Sequence, residues 1–249
     1  MKRAYPLVLA AFVAFAAAPV SADMTMKVTM SIKGPMPMEM QSTLYIAGMN
    51  MRTDVNMGGQ EMSMLVDLAN KRHLVIEHAT KTVREIDPAA AMSAMPVAAG
   101  EPSVSIEATG ETKQVLGHTC QVFAMRVSMP MTIGDEVVTM VMNGPACLAK
   151  EAPGVADYQA FFKAAAAAGI SATPLAQGPQ SKGMAEMQKA LADSGIPLEQ
   201  EMQMSMEGAG QMAQMMGQMA MGTTIRTTEL STAAIAPEVF AVPAGYTKK

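Results

Sequence analysis

The side chains in this 249-residue chain that could carry chemistry are 29 methionines, two cysteines and three histidines. Nucleophile elbows, HExxH pairs, phosphate-binding loops and GxGxxG turns are all missing, so the usual motifs of hydrolases and nucleotide enzymes are absent. His73 lies beside a turn, His78 in a Thr/Lys loop and His118 two residues before Cys120. No two of them are spaced to place two ligands on one face, and each reads as a surface or loop histidine. Glu199 and Glu201 share a strand face, which on an acidic protein reads as a solvated edge. No catalytic residue is assigned, and a non-enzymatic protein is expected.

Cys120 and Cys147 form an even pair, expected as a disulfide in an oxidising compartment. A hairpin with Ile133-Gly134 at its tip pairs residues whose numbers sum to 267, as 120 and 147 do, which sets the two cysteines opposite each other. Closing that loop is worth roughly 3 kcal/mol. A bulge at Pro130, which has no N–H for the ladder, would break the register. Redox or metal roles would need a CxxC or neighbouring histidines, and neither is present.

The methionines admit three readings. The first is packing, since an unbranched thioether fills a half-buried sheet face. The second is a groove lined by Met26, Met38, Met40, Met51 and Met64, able to re-pack around an acyl chain or an apolar client. The third is a soft-metal site for Cu(I) or Ag(I), which thioethers favour. Two places fit the third reading: Met202, Met204 and Met206 on alternate strand positions, and Met212, Met215, Met216 and Met219 at helical spacing. An amphipathic helix docked by its methionines would explain the second place without a metal.

The elements that position these side chains follow from periodicity. From Met24 to Asp87, apolar residues recur every second position, with turn signals at Gly34-Pro35, Gly48, Gly58-Gly59 and Asn70-Lys71. That predicts a meander of five or six antiparallel strands with nearly every methionine on one side. Residues 88–102 read as a crossing segment. Further strands are expected at 103–108, 113–115, 120–129 and 136–142, and closing strands at 197–206 and 223–229. Helices are expected at 155–168, stopped by Gly169, and at 184–193, ended by Gly195. Residues 202–222 form a Met-rich tract that becomes a low-complexity Gly/Gln/Met run from Gly208.

Lys2 and Arg3, the apolar run Leu7 to Ala18 and the small residues Val20-Ser21-Ala22 predict a cleavable signal over 1–22 and a periplasmic mature protein from Asp23. The run is too short to span a bilayer, and no later stretch predicts a transmembrane segment. Loss of Lys2 and Arg3 takes the formal net charge from −4 to −6, which offers no footprint for nucleic acid. Residues 23–249 are expected to form one domain and to be monomeric.

Several segments in order resemble a known group: LVDLANKRHLVIEHATKTVREID (65–87), ETKQVLGHTCQVFAM (111–125), GIPL (195–198) and IAPEVFAVPAGYTKK (235–249). The strongest motifs are the step from Gly117 to Cys120 and the final Phe240, Pro243, Gly245 and Tyr246. Together they resemble the exported bacterial "domain of unknown function 4412" family, similar in architecture to LolA-like lipoprotein carriers. The resemblance implies a curved antiparallel sheet, an incomplete barrel, with helices on its concave side. It supplies no catalytic residues.

The reading is therefore a mainly β, α+β protein with about two helices over the methionine face. Its expected role is that of a periplasmic carrier for an apolar ligand such as a lipid, with no cofactor. Alternatives are a Cu(I)/Ag(I)-binding protein and a structural envelope factor without a small ligand.

Overall fold

The computed structural model describes residues 23–34, 37–86, 103–133, 136–170, 181–208 and 221–249. The expected signal over 1–22 and Met212, Met215, Met216 and Met219 lie outside them.

Alternation from Met24 onward builds six strands: β1 (Met24–Lys33), β2 (Met38–Ala47), β3 (Asn50–Met57), β4 (Gln60–Asp67), β5 (Arg72–Glu77) and β6 (Thr82–Glu85). Each pairs antiparallel with the next. Three long strands follow, β7 (Ser103–Val115), β8 (His118–Ile133) and β9 (Glu136–Ala149). The two short strands expected at 103–108 and 113–115 are one strand, with an irregularity between Ala108 and Thr112. Helices α1 (Val155–Ala167) and α2 (Ser181–Ser194) come next, then β10 (Ile196–Glu207), β11 (Met221–Ser231), a 3-10 turn at Pro237–Phe240 and β12 (Thr247–Lys248).

The sheet order is β12-β6-β5-β4-β3-β2-β1-β11-β10-β9-β8-β7. It is a curved, open sheet whose two ends do not meet. The strands expected to close the chain lie mid-sheet: β11 pairs with β1 on one side and β10 on the other, joining the two halves. All pairings are antiparallel except that of β12, which runs parallel to β6.

An alanine-rich sequence favours α1, and Gly169 stops it as expected. At φ 67°, Gly169 donates to Ala166, while the Ile170 N–H reaches back to the Ala165 carbonyl at 2.9 Å. That pair of bonds satisfies carbonyls the helix end would leave open. Tyr158, Phe161, Phe162 and Ala165 of α1 are buried in one cluster with Met24, Met26, Ile46, Met51, Met64 and Val66. A smaller core joins Leu65, Leu74, Ile76 and Val83 to Phe240 and Tyr246 of the C-terminal segment. Leu65 neighbours Met64 and Val66 along β4, so by alternation this second core lies on the opposite face of the sheet.

Cys120 and Cys147 are joined, with Cα atoms 5.3 Å apart. The register differs from the expected one. Ile133 pairs with Glu136 and Val122 with Cys147, so facing residues sum to 269, two more than the sequence reading placed there. Pro130 is in register with Thr139, and no irregularity interrupts this ladder. The shift comes from the position of the hairpin tip. An even shift keeps each side chain on its face, so the bridge forms diagonally from Cys120 to the residue opposite Val122.

Candidate ligand-binding face

Directly opposed residues share a face, so the register can be followed across the helix-bearing side of β1 to β4. One row reads Met24, Ile46, Met51 and Val66. Two residues further along β1 comes Met26, Leu44, Thr53 and Met64, and then Val28, Ser42, Val55 and Met62. The fourth row is Met30, Met40 and Met57, and the last pairs Ile32 with Met38. Burial falls along this path. Met24 and Met51 are 0% and 1% exposed beneath α1, whereas Met62, Met57 and Met38 reach 37%, 38% and 39%. At about 3.3 Å per residue, the covered and open ends are roughly 20 Å apart.

The five residues expected to line a groove divide between these ends. Met26, Met51 and Met64 pack against the aromatic face of α1. Met38 and Met40 stand at the open end, beside Met30 and Met57. Methionine therefore does two jobs on one face: it fills a core at one end and stays partly in solvent at the other. The register extends the thioether surface into the second half of the sheet. Met221 faces Met204, Met204 faces Met142, Met206 faces Met140, and Met140 faces Met129.

A cleft of about 570 Å³ crosses β8 to β11, with Lys33, Met125, Asn143, Gly144, Glu201 and Met202 among its lining residues. It opens where β9 and β10 skip two ladder positions between Gln200–Ala146 and Gln203–Asn143. Gly144 lets the strands approach there, because a Cβ on it would stand 1.8 Å from the Glu201 carbonyl oxygen. The lining presents mostly apolar surface, Met125 and Met202 included, with Lys33 and Glu201 among its polar residues.

The disulfide lies beneath an ionic bridge. Lys113 opposes Cys120 and Glu199 opposes Cys147, and Lys113 Nζ reaches Glu199 Oε2 at 3.3 Å across them. Arg226 binds the other oxygen of Glu199 at 3.1 Å. Glu199, expected as a bare solvated edge, is the centre of this bridge, while both sulfurs are buried.

One polar constellation escaped sequence reading. His78 Nε2 is 2.7 Å from Ser63 Oγ, and His78 Nδ1 is 2.7 Å from the Tyr246 hydroxyl. This looks like a base beside a nucleophile, yet the protons forbid it. Ser63 gives its one proton to Asp54 Oδ1 at 2.6 Å and accepts from Arg52 Nη2 at 3.0 Å. With Asp54 ionised, its remaining lone pair must accept from His78 Nε2–H, so Tyr246 O–H donates to Nδ1. Ser63 is saturated and 1% exposed, which leaves a structural pin rather than a nucleophile. Arg52 Nη1 also donates to the Val239 carbonyl at 2.9 Å, so the pin fastens the C-terminal segment. Arg52 and Asp54 on alternate positions of one strand were the visible half of the signal. Tyr246, in the C-terminal motif, was the other half, far away in sequence.

Burial shifts the titration of two side chains in the core, His73 and Tyr158. It holds His73 below the ordinary imidazole range and raises the Tyr158 phenol above its usual value. Among the described residues, no group of three or more His, Cys, Asp or Glu could hold a metal ion, and no helix is long and apolar enough to cross a membrane.

No protein-family model and no curated protein matches the sequence. The resemblance to the domain of unknown function 4412 family thus rests on the motifs alone. The chain is similar to a LolA superfamily protein from Nitrosomonas europaea, at 7% identity and a TM-score of 0.31, over 89% of this chain and 91% of that one. It is also similar to PNGF-II, at 8% identity and a TM-score of 0.34, over 91% of this chain but 31% of that chain. Likenesses this distant assign nothing to the present residues.

Proposed function

We propose that this protein is a non-enzymatic carrier that binds an apolar chain along the open methionine rows of its sheet. The observation that carries the reading is the burial gradient: rows of one residue type pass from a core sealed by α1 to thioethers left partly in water. A sheet that needed only a core would not continue its apolar face past the covering helix. Methionine suits the open end because its flexible, polarizable side chain re-packs around ligands of varied shape. The binding residues on this reading are Met30, Met38, Met40, Met57 and Met62, with Met26, Met51 and Met64 as the packed floor beneath α1. The saturated Ser63 supports a non-catalytic role. A buried disulfide fits the oxidising, extracytoplasmic setting that residues 1–22 predict.

Native mass spectrometry with palmitic acid and with a one-chain lysophospholipid tests the proposal. A saturable 1:1 complex is expected for the mature protein. Replacing Met40 and Met57 together by Gln should weaken it by about tenfold, equivalent to about 1.4 kcal/mol. A mass that neither lipid moves, in protein stripped of co-purified material, would overturn it.

A further inference from the structure

The second methionine surface, on β8 to β11, invites different chemistry. Across three strands the register sets Met221, Met204 and Met142 in one row. Two residues along, Met206, Met140 and Met129 form the next row on the same face. Facing Cα atoms in such ladders are about 4.5–5.5 Å apart, well within the reach of two extended thioether side chains toward one point between them. Closer to the helices, the apolar positions of these strands are Ile196, Leu198, Ala146, Leu148 and Leu230. Past that region, β10 uses methionine at Met202, Met204 and Met206, and β9 at Met140 and Met142, with the buried Val127 opposite Met142 and Val138 next along the same face. Strands favour Val, Ile and aromatics, and methionine is not among those favoured residues. Packing alone would be served as well by branched aliphatics, so the sulfur itself is the feature to explain.

The geometry points to a soft-cation site on this patch that binds Cu(I) or Ag(I) through the thioethers of Met142, Met204, Met206 and Met140, with Met129 and Met221 at its margins. Thioethers are soft, neutral donors, and they select monovalent soft ions over Zn(II), Ni(II) and Cu(II), which prefer imidazole and carboxylate. Among the described residues no cluster of those harder ligands exists to compete. Neutral donors also leave the ion's charge uncompensated, which a +1 ion tolerates better than a +2 ion. Met221 is 37% exposed and Met129 is buried, so an ion can enter from the solvent-facing margin and settle against a closed one. The site adjoins the open rows of β1 to β4 on the same face but uses other residues, and it does not depend on lipid binding there.

The test is an anaerobic titration of the mature protein with Cu(I) against a competing Cu(I) chelator, in three forms. Wild type is expected to take the metal from the chelator. The triple variant Met142→Leu, Met204→Leu, Met206→Leu keeps volume and apolarity, so its melting temperature should be little changed. Losing one outer-shell partner of a metal ligand already costs 10–100-fold, so losing three sulfurs should weaken binding by at least about 100-fold. A quadruple Leu variant at Met212, Met215, Met216 and Met219 should bind as wild type does. Wild type that fails to compete overturns the proposal, as does a correctly folded triple variant that binds like wild type. Methyl-labelled methionine spectra with Ag(I) give an independent readout. Shifts at Met142, Met204 and Met206 are expected, and shifts confined to other methionines would also overturn it. The triple variant should still bind palmitic acid, because Leu preserves an apolar surface.

Discussion

His73 and His78 stand five residues apart, and their surroundings treat them in opposite ways. His78 finds a partner for each ring nitrogen in Ser63 and Tyr246. His73 points into the buried side of β5, where its Nε2 has no hydrogen-bond partner among the described residues. Burial disfavours the imidazolium, so the folded chain holds His73 below the 6.5 of a free imidazole. Between that depressed value and pH 6.5 the unfolded chain binds more protons than the folded one. Stability from this residue is therefore fully present above pH 6.5 and is lost as the pH falls through the window. The slope is at most about 1.4 kcal/mol per pH unit. Urea unfolding at pH 7.5 and 5.5 should show wild type losing more stability than a His73→Leu variant. Equal losses would mean that His73 does not contribute.

At the scale of elements, the hairpin between β7 and β8 has a flaw that can be mended. Val115 pairs with His118, and the two residues between them, Leu116 and Gly117, have φ of 53° and 78°. Positive φ at both positions suits the twist of a two-residue hairpin, and Asn-Gly is its preferred sequence. Leucine pays about 1–2 kcal/mol in the left-handed region. Leu116→Asn should raise stability by roughly 0.5–1.5 kcal/mol by chemical denaturation, and an unchanged or lower midpoint would refute the account. Such details lie beyond sequence periodicity, though most elements did not. Period-two alternation placed β1 to β6 because a half-buried face admits no other spacing, and Gly169 marked the end of α1. The Cys120–Cys147 pair was legible because an even slip in register preserves the face. The offset itself was not, since neighbouring turn positions compete on equal terms. Met38 and Met40 could not be separated from Met26, Met51 and Met64, because alternation records which side a residue faces but not where a helix stops covering it. The pin of Arg52, Asp54, Ser63, His78 and Tyr246 was only half legible: its last member, Tyr246, reaches His78 only when the C-terminal segment folds back.

For the molecule as a whole, the C-terminal segment is what finishes one flank of the sheet. Phe240 and Tyr246 cover Leu65, Leu74, Ile76 and Val83, and β12 occupies the outer edge of β6. The other flank, β7, carries Glu107, Glu111 and Lys113, charges that discourage pairing with another chain. Deleting residues 237–249 should expose both an apolar patch and a bare strand edge. Light scattering and thermal unfolding should then report a lower melting temperature and concentration-dependent association. A deletion variant that scatters light as the full chain does, with an unchanged melting temperature, would show that the segment is dispensable.

The chain's own order of manufacture adds a consequence. β1 waits for β11 as its neighbour, and β6 waits for β12, which ends one residue before the last. A ribosome making this polypeptide releases its first six strands long before either flanking partner exists. Such distant pairings are slow to form, and the half-made sheet is prone to clumping while it waits. The two outer edges of β1 to β6 thus stay unpaired until residues 221–231 and 247–248 have been made.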